Sequence, residues 1–284
     1  MAGGKRPAPQ RSGRRPNRES ERRLAFERAP VAPRPWVIPR WWFTAIVALF
    51  LLPIAGLLTQ TFFGAFSRAA VEHAFWATDE FWFFMLGTVL WSLWFCGSIW
   101  SFGEPRPLRL YVFGHELTHA IWVWIMGGEV KSFEVSREGG SIITNKQNVW
   151  IALSPYFYPI YTLAIILAYG AVSFFYDVAG VRQTFLWVTP LQWMFLALGI
   201  TWAFHMSFTI WMIPKGQSDL TLHGTFFSLV FIYLMNVVIM TIFLITAAPE
   251  ITWFDFGHEL LENTENFAAC VYALAERLIQ RMQQ

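Results

Sequence analysis

The chain has 284 residues, of which 55% are hydrophobic, 18% aromatic and only 14% charged. This composition excludes an ordinary soluble enzyme and is typical of a polytopic membrane protein. The formal net charge of +2 hides a division, because residues 1–40 contain 11 Lys or Arg and 3 Glu, whereas the remainder contains 10 basic and 16 acidic residues. The two cysteines, Cys96 and Cys270, indicate neither a disulfide bridge nor a metal clip.

Residues 1–40 form a basic tail rich in Pro, Gly, Ser and Arg. Such a composition cannot bury a core, so the tail is predicted to be disordered. The positive-inside rule places it in the cytoplasm, and the expected location of the chain is the cytoplasmic membrane of a bacterium. The tail suits a topological anchor with affinity for anionic lipid of the bilayer, and binding of nucleic acid is not the favoured interpretation.

Residues 41–248 form the predicted membrane domain. Because lipid satisfies no backbone polar groups, we expect an all-α polytopic protein with about six transmembrane helices. The apolar runs long enough to span lie at about 41–63, 81–102, 108–126, 149–176, 184–213 and 222–247.

The third run carries the segment Gly-His-Glu-Leu-Thr-His-Ala, residues 114–120. On a helix His115 and His119 lie one turn apart, so both imidazoles can bind one zinc ion. Glu116 lies beside them, where its carboxylate can take a proton from an attacking water. A charged group at bilayer depth costs about 2.5 to 3.5 kcal/mol on insertion scales, so such groups are kept mainly where they do chemistry. The segment is therefore the predicted active site.

A less favoured interpretation is a pair of histidines hydrogen-bonded within a helix bundle, for which the adjacent buried Glu116 would have no packing purpose. The chain also contains an internal comparison. Residues 257–260 repeat Gly-His-Glu-Leu, but Glu262 stands where the second His of the motif would be. This copy is interpreted as a solvated surface.

The twenty residues after Gly127-Gly128 change character. Residues 129–135 alternate between polar and apolar side chains, Gly139-Gly140 forms a turn, and residues 141–144 alternate again. This pattern predicts a small β-hairpin at the membrane surface, with a polar connecting loop as the alternative. A free strand edge beside a zinc site can pair with an unwound substrate segment.

A zinc protease needs a third protein ligand. Asp219 is favoured because it ends a break in the helical pattern at residues 214–219, although an ordinary acidic residue at a helix N-terminus is the alternative. His205 can polarise a substrate carbonyl or orient a ligand, or can be a hydrogen-bonded core histidine. His223 lies one turn after Asp219 and can be its partner, with interfacial exposure as the favoured reading. Asp177 is the remaining candidate.

The motif at residues 113–120, followed by Gly-Gly-Glu-Val at 127–130 and a Gly-Gly hairpin, resembles the site-2 protease family of intramembrane zinc metalloproteases. The likeness extends over about residues 108–236. It implies a core of three helices, proteolysis within or beside the membrane, and an Asp ligand on a later helix, which maps onto Asp219. Many members carry an Asn-Pro segment and Asp-Gly at that ligand, whereas this chain reads Ser-Asp-Leu there.

The resemblance also raises a question of orientation. In the family the motif lies near the cytosolic face, with the hairpin on the same side. A cytoplasmic tail followed by two full spans would run the motif helix in the other direction. Either one early run is re-entrant or this chain is oriented differently.

Residues 249–284 form the last predicted segment. From residue 264 onwards, an amphipathic helix is predicted, which can lie on the membrane, pack on a partner or cap the bundle, with packing favoured. Its apolar face carries Phe267, Val271, Leu274 and Leu278.

The predicted function is a zinc metalloendopeptidase that hydrolyses peptide bonds in or near the transmembrane segments of membrane-protein substrates. His115, His119 and Asp219 are the predicted zinc ligands, and Glu116 is the base that later delivers the proton to the leaving amine. Two alternatives remain, a catalytically inactive relative that binds transmembrane segments and a membrane metal transporter. The intact motif argues against the first, and its compactness argues against the second.

Overall fold

The computed structural model describes residues 40–72, 75–136, 139–178, 180–181, 185–248 and 250–284. The basic tail up to residue 39, with its predicted disorder, lies outside these residues. Within them, the chain is mostly helical and contains one two-stranded sheet. The elements are α1 (Arg40–Glu72), α2 (Asp79–Phe102), α3 (Leu108–Ile125), β1 (Val130–Val135), β2 (Gly140–Thr144), α4 (Val149–Leu153), α5 (Ile160–Phe175), α6 (Pro190–Met212), α7 (Ser218–Leu222), α8 (Thr225–Ala247) and α9 (Trp253–Met282), with short 3-10 turns at Phe75–Ala77, Ser154–Tyr156 and Ile213–Lys215.

Among the described residues, four helices are long and apolar enough to cross a membrane, namely α1, α2, α6 and α8. A fifth crossing is formed if the segment Val149–Tyr156 and helix α5 count as one span, and these two parts meet at a bend of 82°. The expected six spans are therefore confirmed only in part. The motif helix α3 does not qualify, because its two histidines, Glu116 and Arg109 lower the hydropathy of its 18 residues.

The close contact between α2 and α6 depends on two glycines. A Cβ atom at Gly87 would overlap the carbonyl oxygen of Leu196, and one at Gly199 would overlap that of Phe84. Small residues allow helix backbones to approach in this way, which increases van der Waals contact inside a membrane. Asp79 and Gln192 join the first turns of the two helices at 3.1 Å, so α2 and α6 run in the same direction.

Helices α1 and α8 also run in the same direction. Near their first turns, Ala48 of α1 lies in one buried cluster with Leu220 and Phe227. Near their last turns, Ala65 of α1 lies in another buried cluster with Ile245. Consequently α7, which precedes α8, lies at the end of the bundle where α1 begins.

The hairpin after the motif helix is confirmed. Strands β1 and β2 pair in antiparallel register from Val130 opposite Thr144 to Val135 opposite Gly140, with an irregularity after Val130. The ring of Phe133 in β1 packs edge-to-face on Phe113 of α3, with centroids 5.9 Å apart. The sheet is therefore attached directly to the motif helix.

The C-terminal segment forms helix α9, which begins at Trp253, before the predicted start at residue 264. It begins with a capping box, in which Thr252 and Asp255 satisfy each other's backbone N–H groups. Its first turns pack on α1 through an ion pair between Arg68 and Glu259 and a hydrogen bond from Asn263 to Thr61. The predicted apolar face is exposed along the second half of the helix.

Candidate metal centre

Three side chains place one ligand atom each at the corners of a small triangle. His115 Nε2 lies 3.2 Å from His119 Nε2 and 3.2 Å from Asp219 Oδ2, and the third side, from His119 Nε2 to Asp219 Oδ2, is 3.4 Å. Among the described residues, this is the group of His, Cys, Asp or Glu side chains that could hold a metal ion. The structure thus brings together the three residues predicted as ligands.

The triangle has the dimensions that a tetrahedral zinc ion requires. Zinc bonds to His nitrogen and carboxylate oxygen of about 2.0–2.1 Å place neighbouring tetrahedral ligands about 3.3–3.4 Å apart. The donor set of two imidazoles and one carboxylate is that of catalytic zinc sites that keep a fourth position open. The residues present therefore fit a zinc ion.

Helix α3 positions the two histidines on its buried face. His115 and His119 are four residues apart and both nearly fully buried. Gly114 allows Tyr161 of α5 to pack directly on the helix, since a Cβ atom at Gly114 would lie 2.6 Å from the Tyr161 ring. The Tyr161 hydroxyl donates a hydrogen bond of 2.6 Å to the carbonyl of Leu110, which fixes this contact.

Outer hydrogen-bond partners orient both imidazoles. His119 Nδ1 lies 2.6 Å from the carbonyl oxygen of Ile151, and His115 Nδ1 lies 3.3 Å from the hydroxyl of Tyr111. The carbonyl can only accept, so Nδ1 of His119 carries the hydrogen and its Nε2 presents a lone pair to the triangle. Such outer partners commonly fix the tautomer of histidine metal ligands.

Asp219 reaches the triangle because the chain breaks between α6 and α8. Gly216 adopts a left-handed conformation with φ of 75°, and Asp219 follows in the first turn of the short helix α7. The hydroxyl of Tyr156 donates a hydrogen bond of 3.2 Å to Asp219 Oδ2. Burial alone would raise the pKa of the Asp219 carboxyl, but hydrogen bonds with His115 and His119 outweigh it and hold the pKa below its usual range. The carboxylate is therefore ionised at neutral pH, as a metal ligand must be.

Comparison with known proteins does not assign the chain to a family. No protein-family model, curated protein or solved structure matches the chain. The resemblance to the site-2 protease family therefore rests on the motif residues and stays a prediction.

Glu116 is buried between the motif helix and the hairpin. It is 7% exposed and does not belong to the ligand triangle. Gly140, the first residue of β2, touches it so closely that a Cβ atom there would lie 2.5 Å from Glu116 Cγ and 2.8 Å from Oε1. The hairpin therefore confines the side chain predicted to act as the base.

The other candidates lie outside the triangle. Asp177 is exposed after α5 and accepts a hydrogen bond of 3.0 Å from the backbone of Gly180. His223 ends helix α7 and is not part of the ligand group. His205 is buried in α6 and lines a small cavity beside His115, so it is close to the site without being a ligand.

The copy of the motif in α9 forms no such group. His258 is exposed, and Glu259 pairs with Arg68. The interpretation of this copy as a surface segment agrees with these positions.

Three groups at the site were not predicted from the sequence, namely Tyr111, Tyr156 and the carbonyl of Ile151. The position of Tyr111 could have been predicted from the sequence, because it precedes His115 by four residues and must share its helix face. The position of Tyr156 could not have been predicted, because its approach to Asp219 depends on the 3-10 turn at the bend before α5.

Proposed function

We propose that the chain is a zinc metalloendopeptidase that cleaves membrane-protein substrates in or near their transmembrane segments. The observation that carries this proposal is the ligand triangle of His115, His119 and Asp219. The carboxylate of Glu116 is next in sequence to His115 but does not belong to the triangle. A site that only held the metal for structure would have a fourth protein ligand. The described residues supply three.

A zinc ion bound there would polarise a carbonyl group and increase the acidity of a water molecule. Glu116 accepts the proton of the attacking water and then delivers it to the leaving amine. Its side chain is held for this task by Gly140 on one side and helix α3 on the other. His119 and His115 are held in place by Ile151 and Tyr111.

The hairpin would bind the substrate backbone. A two-stranded sheet has an unpaired edge on each strand, so an extended peptide can add to it through main-chain hydrogen bonds. An open cleft of about 550 Å³ lies at the turn end of the hairpin, and Gly140, which touches Glu116, lines it.

The four or five apolar helices support a substrate that is itself embedded in the bilayer. A substrate helix has its carbonyls hydrogen-bonded within the helix, so it must unwind before water can attack. Segments with Gly, Pro or Asn near the cleavage point are therefore the expected substrates.

The test is the substitution Glu116→Gln, which keeps the shape of the side chain but cannot accept a proton. We expect about one zinc per chain in the wild type and in the variant, with proteolysis reduced by at least roughly 10² to 10⁴ in the variant, the contribution of general acid–base catalysis. Membrane proteomics should show shortened fragments only with the wild type, and the variant should retain bound substrate.

The chain supplies its own matched control for this substitution. Glu259 occupies the same Gly-His-Glu-Leu context as Glu116 but pairs with Arg68 on α1. Glu259→Gln should leave cleavage unchanged. Zinc-loaded wild type that yields no fragment from any membrane substrate would favour the catalytically inactive binding protein, and zinc transport in vesicles would favour the transporter.

A further inference from the structure

A small cavity lies beside the metal centre, between α3, α5 and α6. Its volume is about 20 Å³, and its walls include Tyr111, His115 and His205. A cavity needs about 10–15 Å³ of space filled by a water-sized probe to hold one water molecule. The cavity therefore has room for a water molecule.

His205 is the polar group that this cavity leaves without a partner. Its side chain is 8% exposed, and among the described residues its Nε2 atom has no hydrogen-bond partner. A buried polar nitrogen without a partner is costly, and in native proteins such atoms are commonly satisfied by an ordered water.

Tyr111 presents the complementary need. When His115 Nε2 faces a metal ion, the ring hydrogen is on Nδ1 and is donated to the Tyr111 oxygen, 3.3 Å away. The tyrosine hydroxyl hydrogen then needs an acceptor of its own. Within the described part of the chain, the contact with His115 is the hydrogen bond that this hydroxyl makes.

We propose that one ordered water fills this cavity, accepts a hydrogen bond from the Tyr111 hydroxyl and bonds to His205 Nε2, so that His205 is a positioning residue for the metal ligand His115. The chain of donors runs from His115 Nδ1 to the Tyr111 oxygen, from the Tyr111 hydroxyl to the water, and from the water to His205 Nε2. It fixes the His115 tautomer that turns a lone pair towards the metal. The inference rests on the metal-binding part of the proposed function and not on proteolysis.

The experiment is a double-mutant cycle on zinc affinity, measured by competition with a chelator on the purified full chain. Tyr111→Phe and His205→Phe should each weaken zinc binding by about tenfold, near the lower end of the effect of removing an outer partner of a metal ligand. Because both groups act through one water, the double variant should lose no more zinc affinity than the more affected of the two single variants. The visible absorption of the Co²⁺-substituted protein should change in the same variants.

Two further variants separate positioning from simple packing. His205→Gln keeps a polar atom near the position of Nε2 and should restore most of the affinity. Thr209→Val removes another buried hydroxyl on α6 that has no hydrogen-bond partner among the described residues and does not line the cavity. It should leave zinc affinity unchanged, whatever its effect on the melting temperature.

Each outcome decides between the hypotheses. Wild-type zinc affinity in His205→Phe, or additive losses in the double variant, would overturn the water-mediated link while leaving the zinc site intact. Wild-type protein that binds no zinc would instead overturn the proposed function. A structure at high resolution should show one water within hydrogen-bond distance of Tyr111 and His205, and an empty cavity there would also overturn the inference.

Discussion

The two histidines of the candidate metal centre are held by partners of different kinds. His119 bonds to the backbone carbonyl of Ile151, which no substitution of a side chain can remove directly. His115 bonds to the hydroxyl of Tyr111, a single side chain that a Tyr→Phe change deletes. The orientation of His115 is consequently the adjustable part of the centre. The outer partners of a metal ligand tune both affinity and reactivity, so the surrounding protein would act on a bound metal at this point.

Asp219 is the predicted ligand whose assignment depends most on the structure. Asp219→Ala should lower the zinc content of the purified protein well below one ion per chain and abolish cleavage, because only two ligands remain. Asp177→Ala is the control and should change neither quantity, since Asp177 is exposed, accepts a hydrogen bond from the backbone of Gly180 and lies outside the ligand group. Elemental analysis together with a cleavage assay measures both. Full zinc occupancy in Asp219→Ala would remove this residue from the ligand set.

The grouping of His115, His119 and Asp219 could be predicted from the sequence, because local geometry decides most of it. The spacing of His115 and His119 needs only a helix, and the break that carries Asp219 is visible as a Pro, Lys, Gly and Gln segment. The contact of Tyr156 with Asp219 joins positions 63 residues apart, and no local pattern encodes it. The proximity of His205 to His115 is likewise a product of helix packing.

The hairpin is the element that contacts Glu116, the residue predicted to act as the base. Alternation of polar and apolar residues predicted its two strands, but not which residue would touch Glu116. That residue is Gly140, and the contact leaves no room for a side chain. The sequence indicated only that Gly139-Gly140 forms a turn. The structure shows that the second glycine must lack a side chain because Glu116 packs against it.

The substitution Gly140→Val tests this contact. A side chain at this position must displace Glu116 Cγ or the neighbouring Val112 methyl group. We expect zinc content to be kept and cleavage to fall by about 10²-fold, the cost typical of a misplacement of about 1 Å in a reacting group. Ser141→Ala, on the next residue of β2, is the control. Unchanged cleavage in Gly140→Val would show that the hairpin does not set the position of Glu116.

The segment after the hairpin shows why apolar runs overestimate spans. Residues 149–176 form one apolar run in the sequence, but Pro155 and Pro159 interrupt it and the two parts meet at 82°. Proline lacks a backbone N–H and its ring clashes with the preceding turn, so two prolines four residues apart strongly favour a break in the helix there. The bend places Tyr156 beside Asp219. The hydropathy of a segment indicates its length and polarity, but it does not indicate whether the helix bends within the segment.

For the whole molecule, the directions of the helices place the metal centre near one end of the bundle. Leu220 follows Asp219 directly and shares a buried cluster with Ala48 in the first half of α1. The two helices α1 and α2 are each long enough to span, so α3 starts at the end where α1 starts. Neither early run is short enough to require a re-entrant path. The orientation question raised by the family resemblance therefore reduces to the side of the membrane on which α1 begins.

This arrangement predicts that residues beside the start of α3 and residues after α5 lie on opposite sides of the membrane. With the basic residues before α1 retained in the cytoplasm, Glu104 should face the cytoplasm and Asp177 the outside. In a Cys96→Ser, Cys270→Ser background, Asp177→Cys should react with a membrane-impermeant maleimide in intact cells, whereas Glu104→Cys should react only after permeabilisation. Trp100→Cys, in the last turns of α2, provides a second reporter for the end with Glu104. The reverse pattern would place the metal centre near the outer face, and labelling of both positions from one side would contradict the helix directions themselves.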